Sequence, residues 1–332
     1  MGRSFKSTIR RRTLNAIPRS LAPSIANQLG HLRRQNVLKR TFDDVAYTEP
    51  CTYQGELLFT SRSGLVHYKQ GRLKRVLDGN CYGLTRIDQR WFVFRQQSEF
   101  HGHIVSLRLG DAGAAETRSE IENLHAEVHQ IDFDGEQLFV TDTANNRLLV
   151  YKQLRGQWRR CRAVYPAGHA IRGRKSQNYV HLNSVFVRRG SVFVMFHNYS
   201  KVTGKNSEVV ELDHRLRIAR VVETGAQDAH NIAFCGDTLL YCDSRHRRLV
   251  LGENSIEVGG FTRGLALTSA YAVVGVSEFA PRAERRLSHG SLHFCDLESL
   301  SIQETLRVPS VGGIHDIRAV GCSDRAMSIA SS

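Results

Sequence analysis

From Tyr47 onward, apolar residues come in short runs of four to six separated by Gly, Asp, Asn and Ser. Glu56–Thr60 (ELLFT), Trp91–Phe94 (WFVF), Gln137–Thr141 (QLFVT), Ser191–Phe196 (SVFVMF), Thr238–Tyr241 (TLLY) and Tyr271–Val276 (YAVVGV) are examples. Runs of this length, rich in Val, Phe and Tyr and bounded by turn-forming residues, predict β-strands. After Val37 no segment keeps a capped 3.6-residue period for long. Glu116–His125 (ETRSEIENLH) is the nearest helical candidate. The pattern predicts an all-β body.

The runs also recur. Val128–Tyr151 (VHQIDFDGEQLFVTDTANNRLLVY) and Ala229–Leu251 (AHNIAFCGDTLLYCDSRHRRLVL) share one order. Each has a His, a short strand, a Gly-containing turn, an apolar strand ending in Asp, a polar turn, then Arg-Leu and a third strand. Weaker copies start at Tyr82, His181 and Arg263, and a truncated one at His315. Successive starts are 47, 52, 49, 33 and 52 residues apart. A four-stranded propeller blade takes about 40–50 residues. The expected fold is therefore a six-bladed β-propeller. The last copy lacks its outer strands, which Glu56–Ser61 and Leu65–Tyr68 would supply, closing the ring by pairing N- and C-terminal segments and hiding exposed edges. The expected domains are a basic N-terminal arm (1–42), the propeller (43–325) and a tail (326–332).

Charge changes this picture at one end. Of the net +14, ten cations lie in residues 1–40, ahead of the first acid, Asp43, which leaves only about +4 for the body. Ser24–Lys39 could form a short capped helix. The arm reads as a surface segment, as a contact for an anionic membrane surface or nucleic acid, or as an organellar transit segment. No apolar run is long enough to span a bilayer and no secretory signal is visible. Seven scattered Cys without a CxxC pair fit reduced thiols. A cytoplasmic location, with peripheral membrane contact as an option, is expected. Bases have no interleaved aromatic platform here, so nucleic acid is not favoured as a ligand of the body. No phosphate-binding Gly loop, dinucleotide fingerprint or nucleophile elbow is present.

The repeat brings chemistry to one place. The innermost strand of each blade runs along the central channel, so the blade starts form a ring: Tyr82, His129, His181, His230, Arg263 and His315. Four of six are His, whereas only 15 of 332 residues in the chain are His. Converging imidazoles suit a divalent metal such as zinc or iron, which would activate water or polarise a substrate oxygen. A metal-free polar channel is the plain alternative, and with Arg263 it would favour an anion. Asn183, Asn231 and Asp316 are candidates to support the ring or to bond neighbouring backbone. Glu278 is a candidate general base at the channel mouth, or a partner for Arg282 or Arg285. Asp142 and Asp243 read as turn-fixing residues. Ala280–His289, with Arg245, His246, Arg247 and Arg248, could form a positive rim.

The two best copies resemble NHL repeats, whose strands end in a similar Asp, polar turn and Arg-hydrophobic pattern. The likeness covers most of residues 45–320. Propellers of this kind include binding scaffolds, gluconolactonase-like hydrolases, strictosidine synthase-like enzymes and peptide-amidating lyases. The lyases hold zinc with His from different blades, and their blade starts resemble His230-Asn231-Ile232-Ala233 and His315-Asp316-Ile317. That resemblance implies Tyr82 and Arg263 as substrate-site residues. The chain departs from that family in its fourth His and its lack of a secretory context. Four His also match, in ligand type alone, the ferrous centre of carotenoid-cleaving oxygenases. The leading expectation is a metal-dependent lyase or hydrolase acting on a small-molecule, glycan or peptide substrate in the channel. His129, His181, His230 and His315 would be ligands, and Tyr82, Arg263 and Glu278 catalytic. A non-catalytic propeller for a protein or glycan partner and a ferrous oxygenase are the alternatives.

Overall fold

The structure is a computed structural model and describes residues 51–110, 113–168, 179–280, 285 and 288–321. The basic arm, the Ser24–Lys39 helix and the 326–332 tail lie outside these residues. Strands β1 (Glu56–Ser61), β2 (Gly64–Lys69) and β3 (Arg72–Asp78) come first. Blade I follows, as β4 (Asn80–Ile87), β5 (Arg90–Gln96), β6 (His101–Gly110) and β7 (Gly113–His125). Blade II is β8 (Val128–Phe133), β9 (Gln137–Asp142), β10 (Arg147–Leu154) and β11 (Gln157–Val164). Blade III is β12 (Leu182–Arg188), β13 (Ser191–Phe196), β14 (Glu208–Leu212) and β15 (Ile218–Glu223). Blade IV is β16 (His230–Cys235), β17 (Thr238–Asp243), β18 (Arg248–Leu251) and β19 (Asn254–Glu257). Blade V is β20 (Phe261–Leu267), β21 (Ala272–Ser277), β22 (Gly290–Asp296) and β23 (Ser301–Val308). β24 (Ile314–Ala319) then pairs antiparallel with β1, Ile317 opposite Phe59, and completes blade VI in the order β24-β1-β2-β3.

The predicted propeller and its closure are therefore present, with β3 as a third N-terminal strand beyond the two expected. The 33-residue interval is explained by β18 and β19, which are only four residues long. Glu116–His125, the helical candidate, is the end of the long strand β7. Its pairing with β6 overrides the local helical pattern.

The core lies between blades, where each sheet's face packs on the next. Phe94 and Ile104 meet Ile131 and Leu138; Phe139 and Val150 meet Val185 and Val194; Met195 meets Ile232 and Tyr241. Leu240 and Leu249 meet Leu265 and Val274, and Leu58 and Leu65 meet Leu84 and Val93. Each such side chain contributes about 1.5–3 kcal/mol by leaving water.

The inner strands present one unpaired edge to the channel, and side chains from the preceding blade satisfy it. Asp316 accepts from the Leu84 N–H (3.0 Å), Gln130 from Val185 (3.0 Å), Asp132 from Val187 (2.7 Å) and Asn231 from Gly264 (2.7 Å). Thus Asn231 and Asp316 bond neighbouring backbone, one of the roles expected of them, and Asn183 does likewise through Ala229 O (2.9 Å). The approach of these strands is close. A Cβ on Gly83 would lie 2.6 Å from Ile131 N, and one on Gly264 would lie 2.9 Å from Ile317 Cγ1.

Candidate functional site: imidazoles around a guanidinium at the channel mouth

Every inner strand loses its regular register at its ring position or, in blade III, two residues beyond it. The shifts fall between Cys81 and Leu84, Val128 and Ile131, Leu182 and Ser184, His230 and Ile232, and Thr262 and Leu265. In β24 the shift lies opposite Thr60 and Ser61, at His315. A bulge breaks the strict alternation of side chains. It lets one residue face the channel while its neighbour reaches the adjoining blade. In blade II, Thr141 Oγ1 pins the bulge by accepting from the His129 and Gln130 N–H groups (3.2 and 2.9 Å).

The six predicted ring residues meet. Tyr82 stacks on His315 (ring centroids 4.0 Å, 2° between planes) and on His129 (5.5 Å, 7°). His129 meets His181 edge-on at 5.1 Å. Arg263 Nη2 donates to His230 Nε2 (2.8 Å) and His129 Nδ1 (3.4 Å). Blade III deviates from the alignment. Buried apolar residues follow the other ring residues by two positions (Leu84, Ile131, Ile232, Leu265, Ile317), but Val185 follows His181 by four. His181 precedes β12 in a left-handed conformation (φ 48°), and its ring reaches the group from there.

Two residues not anticipated belong here. His197 sits between His181 (4.7 Å) and His230 (5.2 Å). Arg62 Nε and His315 Nε2 both lie within 4 Å of where a Cβ on Gly313 would stand. Both residues directly follow the second strand of their blades, as do Thr143, Ser244 and Glu278. Aligning the second-strand ends, as well as the blade starts, would have exposed them. Glu278 does not join the group. It is exposed, accepts from the His289 N–H (2.9 Å), and lines a half-open cavity of ≈ 660 Å³ with Ser277, His289 and Arg307.

Hydrogen bonds fix several tautomers. Ser244 Oγ donates to Thr262 O (2.6 Å), so it accepts from His230 Nδ1–H (2.9 Å), which leaves Nε2 as the acceptor for Arg263. Nδ1–H of His315 donates to Cys81 O (2.7 Å). For His197, Nδ1 accepts from the Tyr199 N–H (3.1 Å), placing Nε2–H toward Asp228 Oδ1 (3.5 Å). Burial first, and the Arg263 guanidinium second, hold His129, His230 and His315 well below the ordinary imidazole pKa. Burial likewise brings His197 down to about 3. Arg263 is lowered to about 10, first by burial and further by Arg62 and Arg285, although the Tyr82 phenol opposes this. At neutral pH His129, His197, His230 and His315 are therefore neutral imidazoles beside the Arg263 guanidinium.

The expected divalent metal does not fit this arrangement. Lone pairs of His129 and His230 are aimed at a cation already present, and a metal there would sit beside a guanidinium. Among the described residues no group of three or more His, Cys, Asp or Glu is placed to hold a metal ion. Of the expected positive rim, residues 281–284, 286 and 287 lie outside the described residues, and three of the others face carboxylates. Asp243 takes His246 (2.8 Å) and Arg248 (2.9 Å), and Arg245 lies 3.8 Å from Asp228. Asp142 and Asp243 are the turn-fixing residues expected, paired with Arg147 (2.7 Å) and Arg248.

Fold and site together define a six-bladed propeller with a polar, cationic channel mouth. Comparison with protein families and with curated sequences finds no match. Solved structures share the fold. A chain of a nidogen/laminin complex is 15% identical with a TM-score of 0.59, covering 82% of this chain and 99% of that one. A candidate 6-phosphogluconolactonase from Bacteroides fragilis is 11% identical with a TM-score of 0.54 (82% and 100% covered). A protein of unknown function from Bacteroides caccae is 10% identical with a TM-score of 0.55 (81% and 100%). This distant likeness to laminin-type and lactonase-like propellers agrees with the resemblance read from the repeats. It spans both binding domains and enzymes. Among the described residues no helix is long and apolar enough to cross a membrane.

Proposed function

We propose that the channel mouth binds a small anionic molecule, a carboxylate or phosphate ester, on Arg263 and Arg62, and that His315, whose Nδ1–H is spent on Cys81 O, offers its Nε2 lone pair for acid–base chemistry on it. One observation supports this reading above others. Two half-buried guanidiniums stand at the mouth, and among the described residues neither pairs with a carboxylate. A desolvated charge without a counter-ion is costly, and such costs concentrate where a ligand supplies the missing charge. A guanidinium fork suits carboxylate and phosphate oxygens. A neutral His315 beside the bound anion is a competent base, and the anion would raise its pKa toward the working range. Tyr82, stacked between His315 and His129, holds their planes parallel. The lactonase-like fold neighbour, whose name specifies a phosphorylated sugar lactone, is compatible with this ligand class by analogy of fold alone.

The proximity of four imidazoles favours a second reading, a metal-dependent lyase or hydrolase with zinc or iron on His129, His181, His230 and His315. It requires Arg263 to leave His129 and His230. A thermal-shift panel of phosphate- and carboxylate-bearing small molecules, run on the wild type and Arg263→Gln with elemental analysis of the same preparations, separates the readings. The anion reading predicts a raised melting temperature in the wild type alone, with metal far below one per chain. Near-stoichiometric zinc or iron whose chelation lowers the melting temperature would overturn it. Indifference to every anion and absence of metal would instead favour a scaffold whose rim binds a protein or glycan.

A further inference from the structure

An aromatic ladder leads outward from the ring and has no part in holding the anion. His230 packs edge-on against Phe261 (centroids 5.6 Å, 66°), and Phe261 packs edge-on against Phe279 (5.9 Å, 86°). Phe261 is half-buried at the start of β20, while Phe279 is 59% exposed just beyond β21. The chain leading to Phe279 is fixed by the bond from Glu278 N–H to His289 O (3.2 Å) and by the Glu278 carboxylate on the His289 N–H. From blade IV, Arg247 reaches across with its Cζ 4.9 Å from the Phe279 ring centroid. Arg247 itself is in a left-handed conformation (φ 61°) at the β17–β18 turn.

Single exposed apolar side chains are ordinary on protein surfaces. Phe279 differs because it is continuous, through Phe261, with a buried imidazole that bonds Arg263. A ligand whose anion sits on Arg263 would have its remainder directed along this ladder. An apolar ring there would cover Phe279 and Phe261, with Arg247 adding a cation over the shared aromatic surface.

We infer that Phe261 and Phe279 form the apolar half of the site and that the ligand is an anion carrying an aromatic ring, an aryl phosphate or aryl carboxylate. This rests on the anion reading of the channel mouth. Phe279 would thereby set specificity: it selects among anions by what they carry.

The test compares inorganic phosphate with 2-naphthyl phosphate by isothermal titration on the full chain. In the wild type the naphthyl ester binds about tenfold tighter than phosphate. In Phe279→Ala the advantage falls to about twofold, with phosphate still bound, because an exposed side chain leaves the fold intact. Phe261→Leu keeps an intermediate advantage, and Arg263→Gln loses both ligands. If phosphate binding depends on Arg263 but the naphthyl advantage is absent, or persists in Phe279→Ala, the aromatic subsite is wrong and the anion site stands. If the wild type binds neither ligand, both are wrong.

Discussion

Two sets of buried charge lie close together in this propeller and are treated in opposite ways. At the ends of the second strands, Asp142 and Asp243 are almost wholly buried, and each is met by an Arg from the following strand, with Asn145 or His246 closing the turn. At the channel mouth, Arg263 is met by imidazoles, which accept its protons without balancing its charge. The first arrangement occurs in blades II and IV and fixes the turn after the second strand of each. The second stands at the ring position of blade V. A charge that the fold neutralises is structural; on the anion reading, Arg263 is left for a ligand to neutralise.

Substitution should break this symmetry most strongly. Asp243→Ala leaves Arg248 and the turn N–H groups without their acceptor and should lower stability by about 3 kcal/mol in urea denaturation, with Asp142→Ala similar. The next effect is pH dependence. In His129, His197, His230 and His315 the folded pKa lies below the unfolded value, so below pH 6.5 the unfolded chain binds more protons than the folded one. Their contribution is complete above pH 6.5 and is lost as pH falls, at up to about 1.4 kcal/mol per imidazole per pH unit. Melting curves from pH 7.5 to 5 should show this slope, and saturating phosphate should flatten it, since a bound anion favours the protonated rings.

A smaller effect has the opposite sign. Arg263→Met should raise stability by about 1 kcal/mol in the absence of ligand, as removal of an uncompensated charge does at sites kept for function. A melting temperature well below that of the wild type would mean that Arg263 is part of the scaffold. The smallest effect concerns Tyr82. Tyr82→Phe should match the wild type in melting temperature, whereas Tyr82→Leu should lose about 1 kcal/mol with the two ring stacks.

Much of the fold was legible because a propeller writes its geometry as a repeat. The Asp–turn–Arg element, the spacing of blade starts and the split last blade are local patterns, and each predicted a feature now present. The ring residues were legible for the same reason: equal positions in a circular repeat converge. Other features were not. Alternation along a strand says nothing of bulges, so the way His230 faces the channel while Asn231 bonds Gly264 was hidden. His197 and Arg62 come from second-strand ends, outside the positions that the blade starts align. Glu116–His125 has helical spacing that only pairing with β6 overrides. The donor status of each imidazole depends on partners such as Ser244 and Cys81, which are distant in sequence or lie in another blade.

The central claim is that Arg263 awaits an anion, and the most direct measurement is crystallographic. Crystals of the full chain soaked in tungstate, a heavy oxyanion, would be examined in anomalous difference maps. The account predicts a peak within hydrogen-bonding distance of the Arg263 guanidinium, absent from Arg263→Gln crystals. A peak ligated by the imidazoles of His129, His181, His230 and His315 in unsoaked crystals, at the absorption edge of zinc or iron, would contradict it.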